Sequence, residues 1–226
     1  MKVYFTLLCL LAQSLLFAQS KNTEWKLKKE VADLQVFMRN SESSDIKEIK
    51  VRFIANASLS NIVTALKDVP AFPEWIYNCA EARLLKRISE TESYYYSRVA
   101  FPFPMNDRDF IGHSKLWQDE QTKEIFVKVT GNYNYLPQEK GIVRLPKLSI
   151  NWHITPLTVQ KSLVEYHLVS DPGGSIPDWV VNMAIDKGPI NTIKNFKDML
   201  SKTKYRTAKL HYIQELPIGN SNAVTK

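Results

Sequence analysis

The sequence predicts an α+β fold in which a curved antiparallel sheet wraps around one long C-terminal helix. Three observations carry this expectation. Six strand-like segments follow one another between about residues 82 and 169, with gaps shorter than the dozen or more residues that a parallel crossover needs. Near the end of the chain Trp179, Val180, Met183 and Ala184, then Ile190, Ile193, Phe196 and Leu200, recur at helical spacing, while Lys187, Lys194 and Lys197 lie off that stripe. A helix that is apolar on one face needs a covering surface, and a large open sheet, which twists and curls rather than lying flat, supplies one.

Taken in order, residues 1–18 read as a secretory signal peptide: Lys2 precedes an apolar run from Val3 to Leu11, and Ala18 offers a small residue for cleavage. Gln13 and Ser14 interrupt that run well short of the roughly 20 apolar residues of a membrane span. Residues 31–37 suit a strand and pair with residues 46–57, where Ile49, Val51, Phe53 and Ala55 alternate with polar neighbours. Ser58 or Ser60 caps a helix that runs to about Val69, and residues 70–77 form a second short helical piece.

The six strands are expected at about residues 82–89, 94–101, 109–117, 124–133, 143–155 and 162–169, as an antiparallel meander. Asp171-Pro172-Gly173-Gly174 is dense turn chemistry, and Pro177 stands where the last helix begins. Gly188-Pro189 interrupts the stripe, so a kink or a pair of joined helices is expected there. Residues 19–203 make one domain, and residues 204–226 read as a polar tail carrying Lys204, Arg206 and Lys209.

Cleavage would leave about 208 residues and a formal charge of about +6, against +7 for the whole chain of 226. That mild excess suits an anionic membrane surface or an acidic partner and establishes neither; a solvated lysine-rich face is the favoured reading. Cys9 leaves with the signal, so Cys79 alone remains and no intramolecular disulfide is available. Lysines spread along the chain form no nucleic-acid face. The four histidines, His113, His153, His167 and His211, show no close motif spacing, and Gly173-Gly174 lacks the lysine and the βαβ setting of a phosphate loop. No metal or other cofactor is expected, and the chain is expected to act as a monomer.

Three stretches carry a resemblance to a known family: Phe72-Pro73-Glu74-Trp75, Phe101-Pro102-Phe103-Pro104-Met105-Asn106-Asp107-Arg108-Asp109-Phe110, and Asp171-Pro172-Gly173-Gly174-Ser175-Ile176-Pro177. Over roughly residues 25–200 the chain resembles the START domains, the steroidogenic-acute-regulatory-protein-related lipid transfer domains of helix-grip fold. The resemblance implies a lipid-sized tunnel between sheet and last helix, with the proline-rich loop and the helix start near its mouth. Sterol-binding relatives often place an arginine inside the cavity six positions after the arginine of the Arg-Asp-Phe motif. Here that position is Ser114, so a sterol preference does not carry across.

The ligand-lining residues expected on this basis are Tyr96, Phe110, Ser114, Val129 and Trp152 from the sheet, with Val164, Tyr166 and Leu168 on one face of the last strand. Val180, Met183 and Ala184 complete the set from the last helix. Phe103, Met105, Arg108, Gly173 and Gly174 form the expected gate, with Phe103 and Met105 able to dip into a bilayer interface. Arg108 has two readings: it orients a lipid head group, or it tethers its own loop to a carbonyl or carboxylate. Cys79 reads as a small packing residue and Asp109 as a strand-start cap.

The leading expectation is a non-enzymatic carrier or sensor of one lipid or similar hydrophobic molecule, with passing contact at membrane surfaces and an exported location. A helix-grip enzyme of the cyclase or aromatase kind is the alternative from another class, favoured by several ionisable groups converging in the tunnel. A protein-binding module is the third, and a filled interior is its signature.

Overall fold

The computed structural model describes residues 23–41, 47–174, 176–177, 180 and 187–217. Three strands come first, β1 (Lys26–Val31), β2 (Leu34–Asn40) and β3 (Lys47–Ala55). A helical insert follows, with α1 (Leu59–Lys67), a 3-10 turn (Val69–Ala71) and α2 (Phe72–Trp75). Seven more strands complete the sheet: β4 (Cys79–Arg87), β5 (Glu92–Val99), β6 (Asp107–Gln118), β7 (Ile125–Gly131), β8 (Ile142–Arg144), β9 (Lys147–Thr158) and β10 (Lys161–Asp171). The chain then enters α3 (Gly188–Ser201) and the short α4 (Thr203–Arg206).

The strands order themselves β1-β2-β3-β10-β9-β7-β6-β5-β4, and β8 joins off this path through β6. Every pairing on the main path is antiparallel, as the short connections demand. Ser162 opposite Ala55 brings the last strand beside the third, so the sheet wraps from the two ends of the chain.

Two strands exceed the expectation. β1 precedes the predicted first strand, and the tight turn between β1 and β2 runs through Ala32, whose φ of 55° is left-handed. The predicted strand at 143–155 is two, because Pro146 has no N–H to donate to a ladder. Its first part is the parallel rung β8, with Asp107 opposite Ile142 and Asp109 opposite Arg144.

Helix α1 begins where the Ser58 hydroxyl accepts a hydrogen bond from the Asn61 backbone N–H while the Ser58 backbone N–H donates to the Asn61 side-chain oxygen, a reciprocal cap. Helix α3 buries Ile193, Phe196, Met199 and Leu200. Phe196 meets Trp75, Trp152 and Phe53, with ring centroids 4.8, 5.7 and 6.5 Å apart, so the helix, the insert and the sheet share one aromatic core. Pro189 lies in the first turn of α3, where its missing N–H costs nothing. The upstream part of the stripe, Trp179, Met183 and Ala184, lies outside the described residues, and so does the proposed bend before Gly188.

The expected polar tail is corrected in its first half. Tyr205, Ile213 and Leu216 are buried, and Glu215 reaches back to accept hydrogen bonds from the backbone of Leu59 and Ser60 at 3.0 and 2.8 Å. A carboxylate at a helix N-terminus meets donors that have no partner within the helix, and this one also meets the positive end of the helix dipole. The polar reading overlooked Leu210, Ile213 and Leu216, whose three-residue spacing sets an apolar edge among the lysines.

Candidate functional site

Between the concave face of the sheet, the insert and α3 lies a cavity of about 310 Å³. That is at the small end of the roughly 300–1,000 Å³ of ligand pockets. Strand alternation decides which side chains reach it. Tyr95 and Ser97 come from β5, Phe110, Ser114 and Leu116 from β6, Val127 and Val129 from β7, Leu148, Ile150 and Trp152 from β9, and Tyr166 and Leu168 from β10. Phe72 and Trp75 close it from α2, Val180 and Ile193 from the helical side.

The two ends differ in chemistry. At the start of β5 the wall is polar, with Glu92 and Ser93 joined by Lys67, Arg87 and Glu90. The Lys67 ammonium donates to the Glu90 carbonyl and to the Tyr212 hydroxyl, and burial lowers its pKa below the ordinary lysine value. At the far end of β5 the wall is Val99, Ala100, Phe101 and Pro102 with Gly188 and Pro189, mostly apolar.

Most of the expected lining residues meet in this space: Phe110, Ser114, Val129, Trp152, Tyr166, Leu168 and Val180 all touch it. Two do not. Tyr96 is only 1% exposed but points to the other side of the sheet, stacked under the Arg83 guanidinium at 4.7 Å, and Tyr95 is the ring that faces inward. The signal was Arg98, two positions after Tyr96 and therefore on the same, charge-bearing face. Val164 shares its face with Tyr166, yet it sits between Phe53 and Ile154 in solid core below the cavity. Met183 and Ala184 lie outside the described residues. Sequence reasoning missed Tyr95, Phe72 and Trp75; the last two stand three apart on one face of the short helix, an available signal.

Tyr95 owes its place to a glycine. It pairs with Gly112 across β5 and β6, and a Cβ on Gly112 would fall 2.7 Å from the Tyr95 ring and 2.9 Å from Val129. Only a residue without a side chain lets the ring lie flat on the strand there.

At the apolar end the gate residues divide. Phe103 is 94% exposed at the tip of its loop. Gly173 and Gly174 hold φ of 66° and 68°, the left-handed region in which a Cβ is strained. Arg108 makes the contacts of the tether reading. Buried to 5% exposure, it donates to the carbonyls of Asn106, Pro172 and Gly173 and lies over the Phe101 ring at 4.3 Å, so one guanidinium binds both loops. Its neighbour Asp109 forms a buried ion pair with Arg144, beyond the cap expected of it.

His113, His153 and His167 face away from the cavity, each on a glutamate: Glu92 at 2.7 Å, Glu124 at 3.2 Å and Glu48 at 2.9 Å. Cys79 is buried, and burial pushes its thiol pKa up, away from the thiolate a nucleophile needs.

A curved antiparallel sheet gripping a C-terminal helix, with a largely apolar cavity between them, defines the helix-grip class of domain. Comparison with known proteins makes the class specific. A family profile of the START domain matches residues 6–206. An uncharacterized protein of Pseudomonas aeruginosa is 30% identical over 79% of this chain and 88% of its own. The mouse phosphatidylcholine transfer protein is 23% identical over 76% of this chain and 81% of its own. The crystal structure of a STAR-related lipid transfer protein from Xanthomonas axonopodis superposes with a TM-score of 0.72 at 31% identity, covering 79% of this chain and 99% of that one. The chain belongs to the START domain family. Two of these relatives are named as lipid transfer proteins, and lipid binding or transfer in general is the function the family supports.

Proposed function

We propose that this protein binds one lipid or similar hydrophobic molecule in its internal cavity and transfers it between membranes, without catalysis, after export from the cytoplasm. The observation that carries the reading is the aromatic and aliphatic lining between sheet and α3. It removes apolar ligand surface from water at about 25 cal/mol per Å². The charged groups of the wall, Lys67, Arg87, Glu90 and Glu92, gather at one end and engage one another or His113. Burial raises the tyrosines deeper inside well above their ordinary ionisation range, so they carry no charge near neutral pH. Exposed Phe103 is the membrane-facing element of this reading, and the early apolar run is its export signal.

Solvent extraction of protein purified from lipid-containing cells, followed by mass spectrometry, tests the proposal. An apolar ligand at up to one equivalent is expected, with a mature N-terminus near Gln19. Extracts without ligand, together with no transfer between labelled and unlabelled vesicles, would overturn the carrier; conversion of the bound molecule would replace it with an enzyme.

A further inference from the structure

Two tyrosine hydroxyls in the cavity wall have no hydrogen-bond partner among the described residues. Tyr95 is 5% exposed and Tyr166 half-buried, both line the cavity, and among the described residues neither hydroxyl makes a hydrogen bond to protein. A buried tyrosine usually finds one. Tyr205, at 2% exposure in the helical layer, does so by donating to Asp68 at 2.7 Å.

The rings are held in place by other aromatics. Phe72 and Phe110 meet Tyr95 edge-on at 5.4 and 5.8 Å, its ring rests on Gly112, and Tyr166 packs on Trp152 at 4.6 Å. Although four strand spacings separate β5 from β10 along the sheet, its curvature brings both residues into the wall of the same cavity. The charged part of the lining lies at the start of β5, away from the rest of the wall.

We infer that Tyr95 and Tyr166 form a hydrogen-bonding station that selects ligands carrying an uncharged oxygen, a hydroxyl or an ester carbonyl, inside an otherwise apolar body. This rests on the reading of the cavity as a lipid site. A neutral phenol donates to a carbonyl, and both donates to and accepts from a hydroxyl. It carries no charge to neutralise a phosphate or carboxylate, and a buried anion left without a counter-charge is costly. A pure hydrocarbon leaves both donors unmade and forfeits their bonds.

The test uses displacement of the neutral fluorophore N-phenyl-1-naphthylamine from the full-length protein by methyl decanoate, 1-decanol and undecane. Parent protein is compared with Tyr95→Phe, Tyr166→Phe and the double variant. The variants should lose about tenfold in affinity for the ester and the alcohol, the worth of one hydrogen bond in a dry site, and keep their affinity for undecane and the fluorophore. Undecane binding thus also reports that the cavity is intact. Equal changes for all competitors, or no change for the ester and alcohol, would overturn the station while leaving the carrier standing. Failure of the parent to bind fluorophore or undecane would sink the carrier reading, and the station with it.

Discussion

Arg144 meets Asp109 through two parallel hydrogen bonds, Nε to Oδ1 at 2.6 Å and Nη2 to Oδ2 at 3.0 Å, where each side chain is 1% exposed. The guanidinium also donates to the carbonyls of Tyr133, Leu136 and Pro137, so this pair fixes β8 and the loop before it to β6. Asp109→Ala leaves a buried cation without its counter-charge and should cost about 3–5 kcal/mol. The double variant Asp109→Ala, Arg144→Met should regain much of the loss. Urea unfolding checks both, and a single variant within about 1 kcal/mol of the parent would contradict the argument.

The tie made by Arg108 should control how fast ligand moves. Arg108→Ala frees the 101–106 loop from Pro172 and Gly173, and vesicle-to-vesicle transfer should speed up by several-fold with equilibrium binding little changed. Gly173→Ala with Gly174→Ala should act the opposite way, slowing transfer while ligand stays bound, because each alanine strains a left-handed residue by about 1–2 kcal/mol. Gly173 is the more sensitive of the two, since its Cβ would press on Pro146 at 3.3 Å while that of Gly174 meets open space. Stopped-flow transfer separates these outcomes, and parent-like rates in both variants would remove the loops from the mechanism.

Gly112→Ala should damage the cavity without touching its mouth. The new methyl would displace the Tyr95 ring or Val129, an overpacking that costs about 1–3 kcal/mol. Binding of N-phenyl-1-naphthylamine should weaken together with the melting temperature. A variant that binds and melts like the parent would show that the ring has room to move aside.

Glu48 should keep its charge, and the stability it brings, to lower pH than an ordinary glutamate. Burial opposes its charge, but hydrogen bonds from Arg39 and His167 outweigh that and hold the carboxyl below its ordinary value of 4.5. A folded-state pKa that is depressed gives stability present above the unfolded value and lost as pH falls through the folded one. Glu48→Gln should therefore cost about 1–3 kcal/mol at pH 7, and its gap to the parent should close below about pH 4.5. Urea midpoints from pH 7 to pH 3 measure it; a gap that stays constant with pH would rule out the charge as the cause.

The architecture was legible where one physical cause acts alone. Short polar gaps exclude parallel crossovers, so the six central strands and their antiparallel order follow; the α3 stripe of Ile193, Phe196 and Leu200 follows from helical spacing. Phase and depth were harder. Three consecutive tyrosines gave no internal clue to which ring faces in, and only Arg98 carried the phase. Val164 and Tyr166 share a face, but how far the core fills beneath the cavity depends on Phe53 and Phe196, which are distant in sequence. The role of Arg108 was ambiguous for the same reason: its partners Pro172 and Gly173 lie some sixty residues on.

The bond from the Leu59 backbone to Glu215 spans 156 residues. Helix α1 therefore waits for nearly the whole chain before its first turn is finished, and β3 likewise waits for β10 to arrive beside it. Closing so wide a loop is not prohibitive, since its entropy cost rises only with the logarithm of length, but contacts this remote in sequence make assembly slow. A nascent chain thus carries α1 as an unfinished piece until Glu215, 156 residues further on, has emerged to fasten it.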